Sequence, residues 1–189
     1  MEIIPQAIAP VLVLKPSRFA DARGYFSELC SRRELASHGL SFDFVQDNVS
    51  LSVESGTVRG LHFQTRPSEQ TKLVSVLTGA IFDVAVDLRF GSATYGRHVA
   101  VELSEANGLQ LLVPRGFAHG FCTLAPNTRV LYKVDAFYDR ERDFGLRWND
   151  PALGIAWPVS EGEARLSDKD RLQPLLRELP HYFACGSEA

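Results

Sequence analysis

The sequence predicts one all-β domain, a sandwich or barrel of many short strands. Runs rich in β-branched and aromatic residues alternate along the chain with Gly-, Asn- and Pro-containing turn signals. A length of 189 residues is that of a single domain, so we take 1–189 as one unit. The predicted strands are 11–14, 25–29, 44–51, 58–64, 73–77, 81–88, 98–103, 109–113, 120–124 and 129–134.

The run 81–88 gives the clearest strand pattern. Side chains alternate between the two faces of a strand, so the apolar residues at 82, 84, 86 and 88 share one face. Asp83 and Asp87 fall on the other face. We therefore expect one face to belong to the apolar core and the other to contact solvent or a polar cavity.

Two short helices are predicted at the periphery. Ser31 and Glu34 have the spacing of a capping box, and Gly39 is suited to end that helix. Ser167 can cap a second helix starting at Asp168. The residues 185–189 are expected to form a loose tail.

Composition excludes several classes of protein. The chain is 45% hydrophobic and 23% charged, which is typical of a folded domain, and a net charge of −3 provides no basic field for nucleic acid. No apolar run reaches the roughly 20 residues of a membrane span, and residues 1–5 do not resemble a secretory signal. Three dispersed cysteines indicate reduced thiols. We expect a cytoplasmic protein that binds neither nucleic acid nor membrane.

Two of the five histidines occupy distinctive settings. His119 ends a Pro-x-Gly-x-x-His stretch over 114–119, a pattern characteristic of the second conserved box of cupin jelly rolls. His62 begins His-Phe-Gln, where metal-binding cupins carry His-x-His. Because an amide is a weak ligand for transition metals, Gln64 argues against a metal site, and no metal or other cofactor is expected.

Taken together, nine stretches in order resemble the RmlC-type sugar-nucleotide epimerases, the dTDP-4-dehydrorhamnose 3,5-epimerase family. The resemblance runs from about residue 3 to 176 and implies a cupin-type jelly roll with short peripheral helices. The stretches that carry it are RGYF (23–26), VQDN (45–48), RGLHFQ (59–64), KLV (72–74), FDVAVD (82–87), PRGFAHGF (114–121), LYK (131–133), RWNDP (147–151) and LSDKD (166–170).

The family's substrate is a nucleoside-diphosphate 4-keto-6-deoxyhexose, whose ketone acidifies the C–H bonds at C3 and C5. The resemblance implies that His62 is the base, because a neutral imidazole accepts protons near neutral pH, and that Asp170 orients it, with Asp168 as a rival two residues away. Tyr132 matches the acid on the opposite face, since a phenol donates rather than abstracts near neutral pH. Lys72 matches the cation beside the C4 oxygen, where charge grows in the transition state.

Substrate-binding positions carry over in the same way. Arginine forks suit a diphosphate, an aromatic ring can stack on the base, and Asp83 is a candidate to orient His119. The positions implied to bind substrate are Arg23, Phe26, Glu28, Gln46, Asp47, Asn48, Arg59, His119, Tyr138, Asp143 and Lys169.

The family also implies a homodimer in which the N-terminal segment crosses to the partner, so that Arg23, Phe26 and Glu28 serve the neighbouring site. The leading function is conversion of dTDP-4-dehydro-6-deoxy-D-glucose to dTDP-4-dehydro-L-rhamnose. Some residues differ from those usual in the family, for example Val49 and Asp143. These differences leave open an epimerase acting at C3 or C5 alone, or one using a GDP- or CDP-linked sugar. A catalytically silent sugar-nucleotide-binding cupin and a metal-dependent cupin oxygenase are the alternatives from other classes.

Overall fold

The computed structural model describes residues 1–186 and is built almost entirely of strands. Two α-helices and two 3₁₀ helices (Pro151–Leu153 and Leu176–Glu178) complete the regular structure of these residues. The elements in chain order are β1 (Glu2–Pro5), β2 (Leu12–Lys15), β3 (Arg18–Asp21), β4 (Gly24–Ser27), α1 (Arg32–Ser37), β5 (Gln46–Ser52), β6 (Val58–Gln64), β7 (Lys72–Thr78), β8 (Ala80–Asp87), β9 (Arg89–Phe90), β10 (His98–Ser104), β11 (Gln110–Val113), β12 (Phe117–Thr123), β13 (Thr128–Val134), β14 (Asp143–Gly145), α2 (Asp168–Arg171) and β15 (Phe183–Ala184).

Two antiparallel sheets form the body of the molecule. The larger has the strand order β1-β2-β11-β7-β13-β5, and the smaller has the order β10-β8-β12-β6-β14. Chain neighbours such as β7 and β8 lie in different sheets, so the chain crosses repeatedly between the two layers. The architecture confirms the predicted all-β jelly roll with short peripheral helices.

The main core lies between the inner faces of the two sheets. Val74 and Val130 of the larger sheet pack in one buried cluster with Ala85 and Phe121 of the smaller sheet. Pairing of Tyr132 with both Val74 and Asn48 places these side chains on the same inner face. Towards β5 and β6 this interior becomes polar, and a cavity opens there.

The strand predicted with most detail, β8, has both faces buried. Val84 and Val86 belong to a cluster on the outer face of the smaller sheet, covered by Leu153 and Phe183 from the C-terminal part of the chain. Asp83, on the opposite face, is fully buried. The apolar face is therefore core, as predicted, and Asp83 points towards the interior between the sheets.

Both predicted helix starts are present. Ser31 accepts a hydrogen bond from the Glu34 amide at the start of α1, and Ser167 accepts one from the Asp170 amide at the start of α2. Gly39, with a φ of 75°, follows the end of α1.

At the C-terminus, Cys185 donates from its amide to the Phe90 carbonyl. Most of the predicted loose tail, 187–189, lies outside the described residues. No helix among residues 1–186 is long and apolar enough to cross a membrane.

Candidate active site

An irregularity in β6 turns two candidate residues towards the same cavity. Arg59 and His62 are an odd number of residues apart, so a regular strand would place them on opposite faces. The pairing of β6 with β12 shifts between His119 and Phe121, opposite Gly60. Gly60 has a φ of 109°, and a Cβ there would lie 2.6 Å from the His119 carbonyl oxygen. Only glycine fits this close approach, and the shift lets Arg59 and His62 both face the interior.

His62 and Asp170 form a hydrogen-bonded pair across 108 positions of sequence. His62 Nε2 lies 2.5 Å from Asp170 Oδ1, and Ser167 Oγ donates to the other carboxylate oxygen at 2.8 Å. Asp170 is 3% exposed, whereas Asp168 is exposed on the surface of α2. The structure thus places Asp170, and not its rival Asp168, against His62.

Asp170 remains the charged partner in this arrangement. Burial by itself raises the pKa of a carboxyl, but hydrogen bonds from His62, Ser167 and the Gly60 amide outweigh it. The pKa of Asp170 therefore lies below its ordinary value. A carboxylate held in this way fixes the orientation of the imidazole and stabilises its protonated form.

Lys72 extends from β7 of the larger sheet towards the strand that carries His62. Its Nζ donates to the His62 carbonyl at 3.3 Å, and the residue is 9% exposed. Burial lowers the pKa of Lys72 to about 8, against the attraction of the Asp143 and Asp83 carboxylates. The site consequently holds a cation whose charge is lost under mildly alkaline conditions.

Tyr132 approaches the cavity from the sheet opposite to His62. It lies on β13, between β5 and β7. Burial raises the pKa of the Tyr132 phenol, while Arg59 acts in the opposite direction. The phenol is therefore protonated near neutral pH and can donate.

His119 and Asp83 form a second buried pair. His119 Nε2 lies 2.7 Å from Asp83 Oδ1, and the two side chains are 7% and 0% exposed. Asp83 Oδ2 has no hydrogen-bond partner among residues 1–186. The predicted orientation of His119 by Asp83 is present in the geometry, and His119 reaches the cavity surface.

One cavity of about 450 Å³ between the two sheets is lined by His62, Asp170, Lys72, Tyr132 and His119. A smaller space of about 210 Å³ shares His62, Lys72, Tyr132 and Lys169 with it and extends towards β5. Seven further lining residues are not among the predicted site residues: Ser50, Thr57, Val58, Phe121, Arg165, Leu166 and Ser167. Period-two alternation from Gln46 and Asn48 could have indicated Ser50, but no local pattern marks Arg165.

The smaller space is lined by five of the remaining predicted binding residues, Gln46, Asn48, Tyr138, Asp143 and Lys169. Tyr138 Oη donates to Asp143 Oδ2 at 3.0 Å, and Lys169 Nζ donates to the same oxygen at 2.5 Å.

Asp47 lies on the opposite face of β5 from Gln46 and Asn48. It accepts two hydrogen bonds of 2.8 Å from Lys133 Nζ. Its carboxylate is therefore directed away from the cavity in this chain.

Arg23, Phe26 and Glu28 do not line the cavity of their own chain. Arg23 and Phe26 lie on the β3–β4 hairpin, where Arg23 pairs with Asp21 and the Phe26 side chain is 69% exposed. Glu28, just after β4, is also exposed. The hairpin and Glu28 therefore contribute nothing to the cavity of the chain that carries them.

Gln64 has a structural role at the position where metal-binding cupins have their second histidine. Its Nε2 donates to the Ser68 carbonyl at 2.6 Å, and its Oε1 accepts from the Asp139 amide at 2.8 Å. Within residues 1–186 no group of three or more His, Cys, Asp or Glu is arranged to hold a metal ion.

The fold and the site define a cupin-type jelly roll with two histidine–aspartate pairs, a lysine and a tyrosine around an interior cavity. A protein-family model described as dTDP-4-dehydrorhamnose 3,5-epimerase matches residues 5–178. The chain belongs to this family.

Relatives and solved structures agree with the family. A Sinorhizobium fredii protein named dTDP-4-dehydrorhamnose 3,5-epimerase is 53% identical over 94% of this chain and 90% of its own length. A Bacillus anthracis epimerase solved with TDP and PPi bound is 50% identical, with a TM-score of 0.89 over 92% of this chain and 98% of that one. A Legionella pneumophila dTDP-6-deoxy-D-glucose-3,5-epimerase, in complex with dTDP-4-keto-L-rhamnose, is 40% identical, with a TM-score of 0.92 over 97% of both chains.

Proposed function

We propose that this protein epimerises a nucleoside-diphosphate 4-keto-6-deoxyhexose at C3 and C5, converting dTDP-4-dehydro-6-deoxy-D-glucose to dTDP-4-dehydro-L-rhamnose. The observation that carries the proposal is a single cavity between the sheets, faced by His62 of the smaller sheet, which pairs with Asp170 of α2, and by Tyr132 of the larger sheet. Inversion at carbon needs a base and an acid on opposite faces of one ring. The relatives with bound TDP or a dTDP-linked keto sugar support the same substrate class.

In the proposed reaction, His62 removes the proton from C3 or C5. The C–H electron pair moves into the ring to form an enolate, and the negative charge develops on the C4 oxygen. Asp170 stabilises the imidazolium that results. No electron acceptor is needed, because the substrate is neither oxidised nor reduced.

Lys72 is proposed to stabilise the enolate oxygen. A fixed ammonium in a water-poor site interacts more strongly with the developing negative charge than with the ketone, so it lowers the barrier selectively. His119, whose Nε2 faces Asp83, would donate a further hydrogen bond to the substrate from Nδ1 in its imidazolium form. Lys72 and His119 both line the cavity.

Tyr132 is proposed to return a proton to the opposite face of the same carbon. The phenol becomes a phenolate as the enolate collapses to the ketone, and exchange with solvent then restores Tyr132 and His62. The same two steps at the second acidic carbon complete a double inversion.

We propose that the residues of the smaller space (Gln46, Asn48, Tyr138, Asp143 and Lys169) contact other parts of the sugar nucleotide. The diphosphate is proposed to bind at Arg59, which lines the larger cavity. Arg59 is already oriented for this purpose, because its Nε donates to Ser52 Oγ at 3.1 Å and its Nη2 to the Leu51 carbonyl at 3.0 Å. A guanidinium fixed along one edge presents its remaining N–H groups in a fork that matches phosphate oxygens.

A homodimer is proposed to complete each site. The outer face of β5 exposes Val49 and Leu51 at 61% and 47%, and Val53, just after the strand, is 62% exposed. Apolar residues exposed in a row are typical of an interface. A second copy on this face would bring its β3–β4 hairpin, with Arg23 and Phe26, to the neighbouring cavity.

We further propose that the chain acts as a single cytoplasmic domain. Cys30, Cys122 and Cys185 are unpaired among the described residues, which suits a reducing compartment.

The decisive experiment is proton exchange monitored by NMR in deuterated water. The purified protein is incubated separately with dTDP-, GDP- and CDP-linked 4-keto-6-deoxyglucose, and deuterium at C3 and C5 is quantified. We expect deuterium at both carbons and an L-rhamno product from the dTDP sugar. Labelling at one carbon alone would establish a single-carbon epimerase, and faster labelling of a GDP or CDP sugar would replace the nucleotide assignment.

The same assay separates the other classes. A silent binding protein would bind the sugar nucleotide without label entering either carbon. Activity that vanishes with a chelator and returns with iron would contradict the proposal in favour of a metal-dependent oxygenase.

A further inference from the structure

Arg165 lies beside the beginning of β6 although it is more than 100 positions further along the chain. Arg165 and Thr57 form a parallel bridge. The Arg165 amide donates to the Gly56 carbonyl at 2.9 Å, and its carbonyl accepts from the Val58 amide at 2.9 Å. The backbone at Arg165 is therefore fixed against the strand that carries Arg59.

The neighbours of Arg165 show which way its side chain faces. Ala164 and Leu166 pack with Val58 in a cluster on the outer side of the smaller sheet. Because side chains alternate along extended chain, Arg165 faces the other way, with Thr57 and Arg59. All three of these residues line the 450 Å³ cavity, which Val58 and Leu166 also reach.

Both arginines are held along one edge. Arg165 donates from Nε to Glu54 Oε2 at 2.5 Å and also contacts this carboxylate through Nη2. Arg59 uses its Nε and Nη2 for Ser52 and Leu51. In the described part of the chain, the Nη1 groups of Arg59 and Arg165 make no hydrogen bond. Each guanidinium thus retains donors for a ligand.

The facing wall supplies a further unsatisfied group. Ser50, on β5, lines the same cavity, and its Oγ is buried without a hydrogen-bond partner among residues 1–186. A buried hydroxyl without a partner is unfavourable, so a ligand oxygen at this position would stabilise it.

We propose that Arg165 is a second diphosphate-binding arginine, which holds one phosphate while Arg59 holds the other. The inference rests on the proposed function and extends it to a residue outside the motifs that identify the family. Two guanidinium groups with free donors match a diphosphate better than an uncharged sugar, because each phosphate presents paired anionic oxygens. Glu54 positions Arg165 and does not itself contact the ligand.

The test compares binding of dTDP and dTMP by titration calorimetry to wild-type protein and Arg165→Gln. We expect Arg165→Gln to weaken dTDP binding about tenfold, the scale of one charged hydrogen bond, and to weaken dTMP binding less. With the keto sugar, KM rises while kcat stays within about twofold, since Arg165 lies away from the reacting carbons. Arg165→Lys keeps the charge but loses the forked geometry of the guanidinium. Its affinity for dTDP should lie between those of the wild type and Arg165→Gln.

Two controls keep the result interpretable. Arg177→Gln makes the same change in net charge in a 3₁₀ helix on the outer side of the smaller sheet, and it should bind dTDP like the wild type. The double variant Glu54→Gln/Arg165→Gln removes the carboxylate that Arg165→Gln leaves unpaired. Weak dTDP binding by the double variant supports the proposal, and recovery to the wild-type affinity would overturn it.

The failure of this inference is distinguishable from failure of the proposed function. Wild-type protein that does not bind dTDP would contradict the proposed function itself. Wild-type protein and Arg165→Gln that bind dTDP equally well would overturn the assignment of Arg165 alone.

Discussion

Lys72 Nζ donates to the backbone carbonyl of His62 at 3.3 Å, so the cation of one sheet is anchored to the strand that carries the proposed base in the other sheet. The contact fixes the ammonium beside the cavity without neutralising it, since a carbonyl carries no net charge. It also links the position of the ammonium to that of the proposed base.

The charge state of Lys72 predicts an alkaline limit to activity. Its pKa of about 8 means that the ammonium is present below this pH and is lost above it. We expect kcat/KM to fall as pH rises through about 8, as measured by a pH series at substrate concentrations below KM. Lys72→Met should lower kcat at least about a hundredfold, the usual range for a preorganised charge. A kcat/KM that stays constant to pH 9.5 in wild-type protein would contradict the role of this ammonium.

Asp170 and Asp168 provide a matched pair of variants. Asp170→Asn removes the carboxylate that faces His62 Nε2, and we expect kcat to fall by about 10² or more because the imidazolium loses its partner. Asp168→Asn, two residues away on the exposed surface of α2, should stay within about twofold of wild type. Steady-state rates and thermal unfolding of both variants separate catalysis from stability. Equal losses of kcat in the two variants would refute the assignment of Asp170, rather than Asp168, as the partner of His62.

Tyr132→Phe should separate proton removal from inversion. Without the phenol, His62 still abstracts the proton and can return a solvent deuteron to the same face. We expect deuterium at C3 or C5 of recovered substrate, while formation of the L-rhamno product drops about 10²-fold or more. The measurement is NMR of substrate and product after the same incubation. Loss of exchange in parallel with loss of product would argue that Tyr132 does not act as the separate acid.

How far the sequence determines this fold depends on the pattern within each strand. Strands with strong period-two alternation and turn signals, such as β8 (Ala80–Asp87), were predicted almost to their ends. β1, β3 and β14 were missed because they have only three or four residues each and little alternation. β1 and β3 each pair with the next strand of the chain, and β14 pairs with the distant β6. In all three the extended state depends on this pairing, and propensity alone carries too little information to predict it.

The site was predictable where a motif supplied it and not where tertiary structure did. His62 and Asp170 followed from the family resemblance, and the structure brings them together. The common orientation of Arg59 and His62 could not be derived from strand period, because it depends on the shift at Gly60. Arg165 reaches the cavity through a bridge to Thr57, a contact without a local signal.

The proposed exchange of the N-terminal hairpin predicts that two inactive variants restore activity when combined. In His62→Ala the cavity lacks its base, whereas in Arg23→Ala/Phe26→Ala the hairpin lacks the residues that it would supply to the partner. A mixed dimer has one cavity with an intact His62 and an intact partner hairpin. After co-expression at equal levels, random pairing makes half of the dimers mixed, and each mixed dimer has one complete site out of two. We therefore expect roughly a quarter of wild-type activity. Size-exclusion chromatography confirms the dimer, and mixtures no more active than the average of the two separate variants would show that each cavity uses only its own chain.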